Sequence, residues 1–274
     1  MGCLSCDCNL PDWLFMNIVF LGSGNTATVL ARLMHQKGHR ILQVWSRNAA
    51  KALPLATEVG ADSINRLSDI NPSADVCVLA VSDAAVADVA SQLSLRKKIV
   101  VHTAGSVSIN VLKGASPNYG VLYPLQSLRK EMSFIPEIPF LTDGNSNEVK
   151  VLLYDFAKTF STQVKEAGDE ERLRLHLAAV MVNNFTNHLY ALTEAFCNKH
   201  QLQFELLYPL ILETAHRLQS GKAMELQTGP ARRGDEETIQ KHLHSLMDTP
   251  SLQQLYQTIS NSILEMYHKK NELR

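Results

Sequence analysis

Residues 17–48, NIVFLGSGNTATVLARLMHQKGHRILQVWSRN, constrain the fold more than any other part of the chain. Ile18, Val19, Phe20 and Leu21 form a short apolar run that stops at Gly22-Ser23-Gly24, and Ala27, Leu30, Ala31, Leu33 and Met34 then recur at helical spacing. A buried strand therefore turns directly into a helix. A second apolar strand over 41–45 follows at the roughly 30-residue spacing of a βαβ unit. Each small residue has its own task in such a turn: Gly22 permits the tight reversal, Gly24 lets the backbone approach a phosphate with no Cβ between, and Ala27 lets the helix pack close on the strand. Free amide N–H groups and the macrodipole at the helix start favour negative charge. We therefore read Gly22, Ser23, Gly24, Asn25, Thr26 and Ala27 as a cradle for the pyrophosphate of a dinucleotide; the alternative is a βαβ turn that is purely structural.

The end of the second strand distinguishes between dinucleotides. NAD sites usually carry Asp or Glu about 20 residues past the glycines to bond the ribose 2′-OH, whereas NADP sites carry groups that tolerate a 2′-phosphate. Here stand Ser46, Arg47 and Asn48. A hydroxyl and a guanidinium suit a phosphate, and no acid repels it. The expected cofactor is NADP(H), against the plainer reading of Arg47 as a solvated residue after a strand.

A length of 274 residues suits one large or two ordinary domains. The hydrophobic fraction of 45% and formal charge of -1 describe an ordinary globular protein. No basic excess invites nucleic acid, and no apolar run reaches the about 18 residues of a membrane helix. A small-molecule substrate and a cofactor are the expected partners. Residues 1–15, MGCLSCDCNLPDWLF, depart from this pattern. They lack the basic n-region and long apolar stretch of a secretory signal, and Cys6 stands where a myristoylation motif wants Ser or Thr. Cys3, Cys6 and Cys8 have no nearby fourth ligand, so no metal site is expected, and the segment reads as a disordered extension upstream of Met16. Cys77 and Cys197 sit in apolar settings and read as core thiols of a reducing cytoplasm.

Beyond residue 48 an Ala-rich helix over 49–59 leads to a weak strand over 61–64. A clear buried strand over 75–81 ends in Ser82-Asp83 and precedes another helix, and the strand over 98–102 ends in Thr103-Ala104-Gly105-Ser106. Alternating strands and helices with apolar strands predict a parallel, doubly wound α/β sheet. Ligands of such sheets bind beyond the carboxyl ends of the strands, so Gly22-Ser23-Gly24, Val81-Ser82-Asp83 and His102-Thr103-Ala104-Gly105 are expected to converge on one crevice. Shorter extended segments follow over 120–123 and 138–141, and Asp143-Gly144-Asn145 punctuates a boundary. The expected division is a Rossmann domain over 16–144 and an all-α domain over 145–274, with one short strand near Val164. Helical periodicity runs through 169–199 without Pro or Gly, which predicts a rod of roughly 45 Å. Helices over 204–219, 235–247 and 251–270 follow. Helices of such length predict packing against a second copy, a homodimer.

Three groups of residues have the chemistry for a substrate. His102, at a strand end, could bond the nicotinamide carboxamide or transfer a proton, or else cap the strand end. On the long helix His176, Asn183, Asn184, Asn187 and His188 form a second cluster, in which Asn183, Asn184 and Asn187, at offsets of 7, 8 and 11 from His176, lie close to one face of a regular helix. Buried Asn side chains need partners, and a substrate carbonyl or an interhelical bond would each serve. In Thr228-Gly-Pro-Ala-Arg-Arg-Gly-Asp235, Asp235 is a good N-cap, while Arg232 and Arg233 could grip a carboxylate or phosphate. We take His102, Asn183 and Asn187 as candidate catalytic groups and His176, Asn184, Arg232 and Arg233 as candidate substrate-binding groups.

With these residues in view the chain resembles the bacterial Rossmann-like and DUF2520 domain-containing proteins, relatives of pyrroline-5-carboxylate reductase and of the 6-phosphogluconate and hydroxyisobutyrate dehydrogenases. The likeness runs from Met16 onward through GSGNTA at 22–27, WSRN at 45–48, HTAGS at 102–106, YPLQS at 123–127, HLAAVMVNNFTNHL at 176–189, LYPLILET at 207–214 and GPARRGD at 229–235. The resemblance implies an NADP-type Rossmann domain, a helical C-terminal domain and dimers, but no reaction. Hydroxyacid dehydrogenases of this superfamily place a catalytic lysine three residues before their paired asparagines, where this chain has Val180. Pyrroline-5-carboxylate reductase-like enzymes lack that lysine and carry a glycine-rich loop placed like GPARRGD. The expectation is an NADP(H)-dependent oxidoreductase that reduces an imine or carbonyl of a small anionic substrate. The rival is a non-catalytic NADP-binding sensor.

Overall fold

Alternation along one strand sets the layers of this molecule. In β1 (Asn17–Leu21), Ile18 and Phe20 face one side of a sheet and Val19 and Leu21 the other, and all four are fully buried. The computed structural model describes residues 15–96 and 98–268. The extension read at 1–15, Phe15 excepted, and with it Cys3, Cys6 and Cys8, lies outside the described residues, as do the last two residues of the helix expected over 251–270. Ile18 and Phe20 pack into a cluster with α1 (Asn25–Gln36), α2 (Ala49–Glu58) and α4 (Asn147–Lys158), while Val19 and Leu21 join α3 (Asp83–Ser91) on the opposite face. Burial of each such side chain is worth roughly 2 kcal/mol of transfer free energy, so both faces of β1 stabilise the sheet.

The sheet has eight strands in the order β3-β2-β1-β4-β5-β6-β7-β8. These are β2 (Arg40–Trp45), β3 (Asp62–Ile64), β4 (Val76–Leu79), β5 (Ile99–His102), β6 (Asn118–Pro124), β7 (Phe140–Gly144) and β8 (Val164–Glu166). The chain winds outward from β1 to β3 and then crosses back to β4, so a topological switch point lies between β1 and β4. Every neighbouring pair is parallel except β6 and β7, which run antiparallel with Pro124 opposite Phe140. That reversal was not legible in the sequence, because a short apolar strand carries no mark of its direction.

One buried histidine ties this sheet to its helices. His39 is 2% exposed, packs edge-on against Phe156 and Phe160, accepts a bond at Nδ1 from the Met16 amide (3.2 Å) and meets Thr159 Oγ1 through Nε2 (2.6 Å). Burial pushes its pKa down to about 4. The unfolded chain therefore binds this proton at about 6.5 and the folded chain only near 4, so stability is lost as pH falls through that window and is unaffected above it. We expect the wild-type urea stability to drop between pH 7.5 and 5 by roughly 2 kcal/mol more than that of a His39→Gln variant. Equal drops in the two proteins would refute the assignment.

The chain forms two compact units, one ending at Asn183 and one beginning at Asn184. The first closes with α5 (Asp169–Ala179). The second holds α6 (Thr186–Lys199), α7 (Tyr208–Arg217), the single turn α8 (Pro230–Arg233), α9 (Glu236–Ser245) and α10 (Pro250–His268). Within it Cys197, Phe204, Ala231, Ile239 and Leu246 are buried, and Lys199 bonds both the carboxylate (2.8 Å) and the carbonyl (2.7 Å) of Asp248. The run expected as one regular helix over 169–199 is instead α-helical to Ala179, π-helical over Val180–Phe185, and α-helical again from Thr186. A π segment bonds i to i+5, so the 3.6-residue phase by which His176 and the asparagines shared a face does not run through it.

Candidate functional site

Register brings the strand ends level. Leu21 pairs with Leu79 and Trp45, Leu79 with His102, and His102 with Val121, so the segments after β1, β2, β4, β5 and β6 all leave the sheet at one edge. The three ends expected to converge do so, and the β6 end joins them. Gly22 makes the first turn at φ +134°, and a Cβ on it would lie 2.2 Å from the Ala80 carbonyl oxygen. Its amide donates to the Trp45 carbonyl (2.9 Å). The glycine is thus wedged between the ends of β2 and β4.

The helix start beside it is built to receive an anion. Gly24, the extended N-cap of α1, supplies no side-chain cap, and no acid stands in the first turn. The first helical carbonyl bond is from Thr28 to Gly24, which leaves the Asn25, Thr26 and Ala27 amides without intrahelical acceptors. A Cβ on Gly24 would meet no atom within 4 Å, so open space stands over the backbone where a phosphate oxygen would approach. Ala27 is fully buried and seats the helix on the sheet. Asn25 turns outward and accepts from the Lys130 amide (3.3 Å). At the β2 end Ser46 is half-buried, with its hydroxyl near the Asn48 amide (3.4 Å); Arg47 is exposed and has no ion-pair partner among the described residues. These groups fit a diphosphate with a second phosphate near Arg47.

Beyond β4, Val81 is half-buried, and Ser82 and Asp83 open α3. Asp83 accepts from Ser106 Oγ (2.5 Å), which ties this end to the loop after β5. Thr103 is buried and bonds back to the Leu79 carbonyl through its amide (3.2 Å). His102 is fully enclosed, with Nδ1 accepting from the Ala104 amide (3.2 Å) and Nε2 without a partner among the described residues. Burial, reinforced by the Arg172 charge, pushes its pKa down to about 4, so it is neutral near pH 7. Of the roles considered for it, capping of the strand end is the one its bonds express.

Gly105 brings the next two groups together. A Cβ on it would lie 2.8 Å from the His176 ring and 3.0 Å from Tyr123 Cζ. Tyr123, near the end of β6, hydrogen-bonds through its hydroxyl to His176 Nδ1 on α5 (2.9 Å), with the rings edge to face. The helix is pinned there by Arg172, 1% exposed, whose Nη2 donates to the Val107 carbonyl (2.5 Å) and to Asp169 (2.7 Å). Asp169 also accepts from Ser108 Oγ and from the Ile109 amide. Burial works against its charge, but the bonds from Ser108, Arg172 and Ile109 outweigh burial and hold the carboxyl below its ordinary range. Tyr123, Asp169 and Arg172 were missed as site residues, although the strand-end rule applied to β6 would have found Tyr123.

The remaining candidates carry less geometry. Asn183, Asn184 and Asn187 are exposed and their side chains make no hydrogen bond among the described residues, so burial places no demand on them. Asn184, Asn187, Arg232 and Arg233 belong to the second unit. There Arg232 stacks on the Tyr267 ring (4.4 Å to the centroid), Arg233 stands 3.9 Å from Asp235, and Asp235 caps α9 by accepting from the Thr238 amide (3.0 Å).

Comparison with known proteins fits this arrangement. Two family profiles match, one described as NADP oxidoreductase, coenzyme F420-dependent, over residues 17–105 and one as a domain of unknown function, DUF2520, over residues 138–263. A solved structure from Bacteroides fragilis, a candidate NADP oxidoreductase, is 41% identical over 92% of this chain and 99% of that one, with a TM-score of 0.85. The chain belongs to this NADP oxidoreductase family with a DUF2520 domain. The Rossmann-like fold of this family member also recurs in a 1-pyrroline-5-carboxylate reductase of Streptococcus pyogenes (14% identity, 91% of this chain and 98% of that one, TM-score 0.61). It recurs again in an imine reductase of Myxococcus stipitatus solved with NADP+ (17% identity, 93% and 94%, TM-score 0.58). No match is found among curated proteins.

Proposed function

We propose that the protein is an NADP(H)-dependent oxidoreductase that reduces the C=N or C=O bond of a small, anionic substrate. The observation that carries this reading is the uncapped, acid-free start of α1 under open space at Gly24, with Arg47, unpartnered among the described residues, at the neighbouring strand end. Bound NADPH supplies the hydride. The backbone of Gly22, Ser23, Gly24, Asn25, Thr26 and Ala27 holds the diphosphate, and Ser46 and Arg47 hold the 2′-phosphate. Val81, Ser82 and Asp83 flank the nicotinamide from one side, and His102, Thr103, Ala104 and Gly105 from the other, with His102 fixing the Ala104 amide. His176 and Asn183 of the first unit meet the substrate, and the second unit carries Asn184, Asn187 and two guanidiniums, Arg232 and Arg233, suited to a carboxylate or phosphate. Val180 in place of a lysine favours imine reduction over alcohol oxidation.

Titration of the full chain with NADPH and NADH, followed by nicotinamide fluorescence, should show at least a tenfold preference for NADPH. Tighter NADH binding would overturn the cofactor assignment. Incubation with NADPH and a panel of imino and keto acids tests the chemistry; binding without turnover would return the protein to the role of an NADP-binding sensor.

The active species in this reading is a homodimer in a reducing cytoplasm. Leu206 is 74% exposed, Leu210 60% and Leu212 61%, in a helical unit with few buried side chains, which a second copy would cover. Cys77 and Cys197 are buried, unpaired thiols, and no described helix is long and apolar enough to cross a membrane. Light scattering at micromolar concentration should give twice the chain mass, and a Leu206→Lys, Leu212→Lys double variant should give the monomer. A monomeric wild type would remove the dimer from the proposal.

A further inference from the structure

We propose that His176 is the proton donor of the reduction and that Tyr123 is the residue that positions it; the inference rests on the reductase reading above. Two histidines stand near the strand ends, and their surroundings differ. His102 is fully enclosed and its Nδ1 is spent on the Ala104 amide. His176 is half-buried: its Nδ1 meets the Tyr123 hydroxyl (2.9 Å), and its Nε2 has no partner among the described residues and is not among the enclosed polar atoms. One ring nitrogen is therefore held and the other is left free of any described partner and not enclosed. A tyrosine hydroxyl both donates and accepts, so it keeps this ring in place whether the imidazole is neutral or protonated.

The neighbourhood supports a site that handles protons. The pair lies against Gly105, in the segment assigned to the nicotinamide side, and any larger residue there would drive the two rings apart. The charged and titratable groups around it are Asp83 at the head of α3, His102 at the end of β5, Tyr123 on β6, and Asp169 and Arg172 on the histidine's own helix. Asp83 and Arg172 act on Tyr123 in opposite senses, and burial with Asp83 raises its pKa. The phenol therefore keeps its proton and serves His176 as a neutral partner.

The step balances as follows. A hydride leaves the reduced nicotinamide with its electron pair and bonds to the carbon of a neutral C=N group. The π pair of that bond moves to nitrogen, which takes the proton from Nε2 of the His176 imidazolium. The nicotinamide is oxidised, the imine is reduced to an amine, and the neutral imidazole regains a proton from water.

The test uses the full chain as wild type, His176→Gln and Tyr123→Phe, with NADPH and the cyclic imino acid 1-pyrroline-2-carboxylate as probes. We expect His176→Gln to lower kcat by about 10²- to 10⁴-fold. Its NADPH affinity should stay within about twofold of wild type, and the fall of kcat with rising pH should disappear. Tyr123→Phe should lower kcat by about tenfold and displace that limb of the pH profile. It should also change the imidazole tautomer of His176 in nitrogen-15 NMR of the free protein, a readout that needs no turnover. Unchanged kcat in His176→Gln, a retained limb, or a tautomer indifferent to Tyr123 would overturn the proposal. So would a wild type that turns over keto acids with NADPH but reduces no imine, whereas a wild type that binds no NADPH, or binds it without any turnover, would overturn the reductase reading itself.

Discussion

Gly22→Ala should lower stability by roughly 3 kcal/mol or more and abolish coenzyme binding in whatever fraction still folds. The added Cβ would lie 2.2 Å from the Ala80 oxygen and 2.8 Å from the Ala80 carbonyl carbon, and these are backbone atoms of the neighbouring strand end that cannot rotate away. The φ of +134° adds a second penalty, since only glycine adopts it readily. Relief of either strain means moving β1 off β4, where Leu21 and Leu79 are fully buried. Gly24→Ala is the informative contrast: its Cβ meets nothing within 4 Å, so the protein should unfold at the wild-type urea midpoint while NADPH binding weakens. A wild-type midpoint for Gly22→Ala would contradict the geometry of the turn.

Arg47→Asp should weaken NADPH binding by about a hundredfold or more and leave NADH binding nearly unchanged. A charge-assisted bond to a phosphate is worth roughly 1.5–3 kcal/mol, and the new carboxylate adds repulsion where the guanidinium attracted. Stability should not change, because Arg47 is exposed and ion-pairs with no described residue. The measurement is a pair of titrations with the two coenzymes at fixed ionic strength, since exposed charge is screened by salt. Equal losses for both coenzymes would mean that Arg47 does not read the 2′-phosphate.

The parts of this fold that were legible in the sequence are those whose residues face one environment along their whole length. β1, β4 and β5 are buried on both faces and read as apolar runs, and the glycine turn after β1 follows from that burial. The direction of β7 and the π segment at Val180–Phe185 were hidden, because both depend on partners distant in sequence rather than on local pattern. The same limit applies to the site. Gly22 and Gly24 announce themselves by lacking side chains. Tyr123 and His176 lie 53 residues apart, and nothing in either segment shows that Gly105 leaves room for them to meet. His102 was visible as a histidine at a strand end, but its complete burial, and the charges of Arg172 and Asp169 that act on it, come from parts of the chain that no local reading connects to it.

The reversal between β6 and β7 divides the strand-end crevice into two electrical regimes. Because β7 and β8 run the opposite way, α5 sets out from Gly168 pinned to the Val107–Ile109 backbone by Arg172 and Asp169, and it presents His176 to Tyr123 from its flank, two turns into the helix. In the proposed reading the diphosphate end is served by peptide dipoles of the α1 start and the guanidinium of Arg47. The other end is furnished with a carboxylate, a phenol and an imidazole. The reversal thus separates an end built on fixed main-chain dipoles from an end built on side chains that α5 holds in hydrogen-bonding reach of one another.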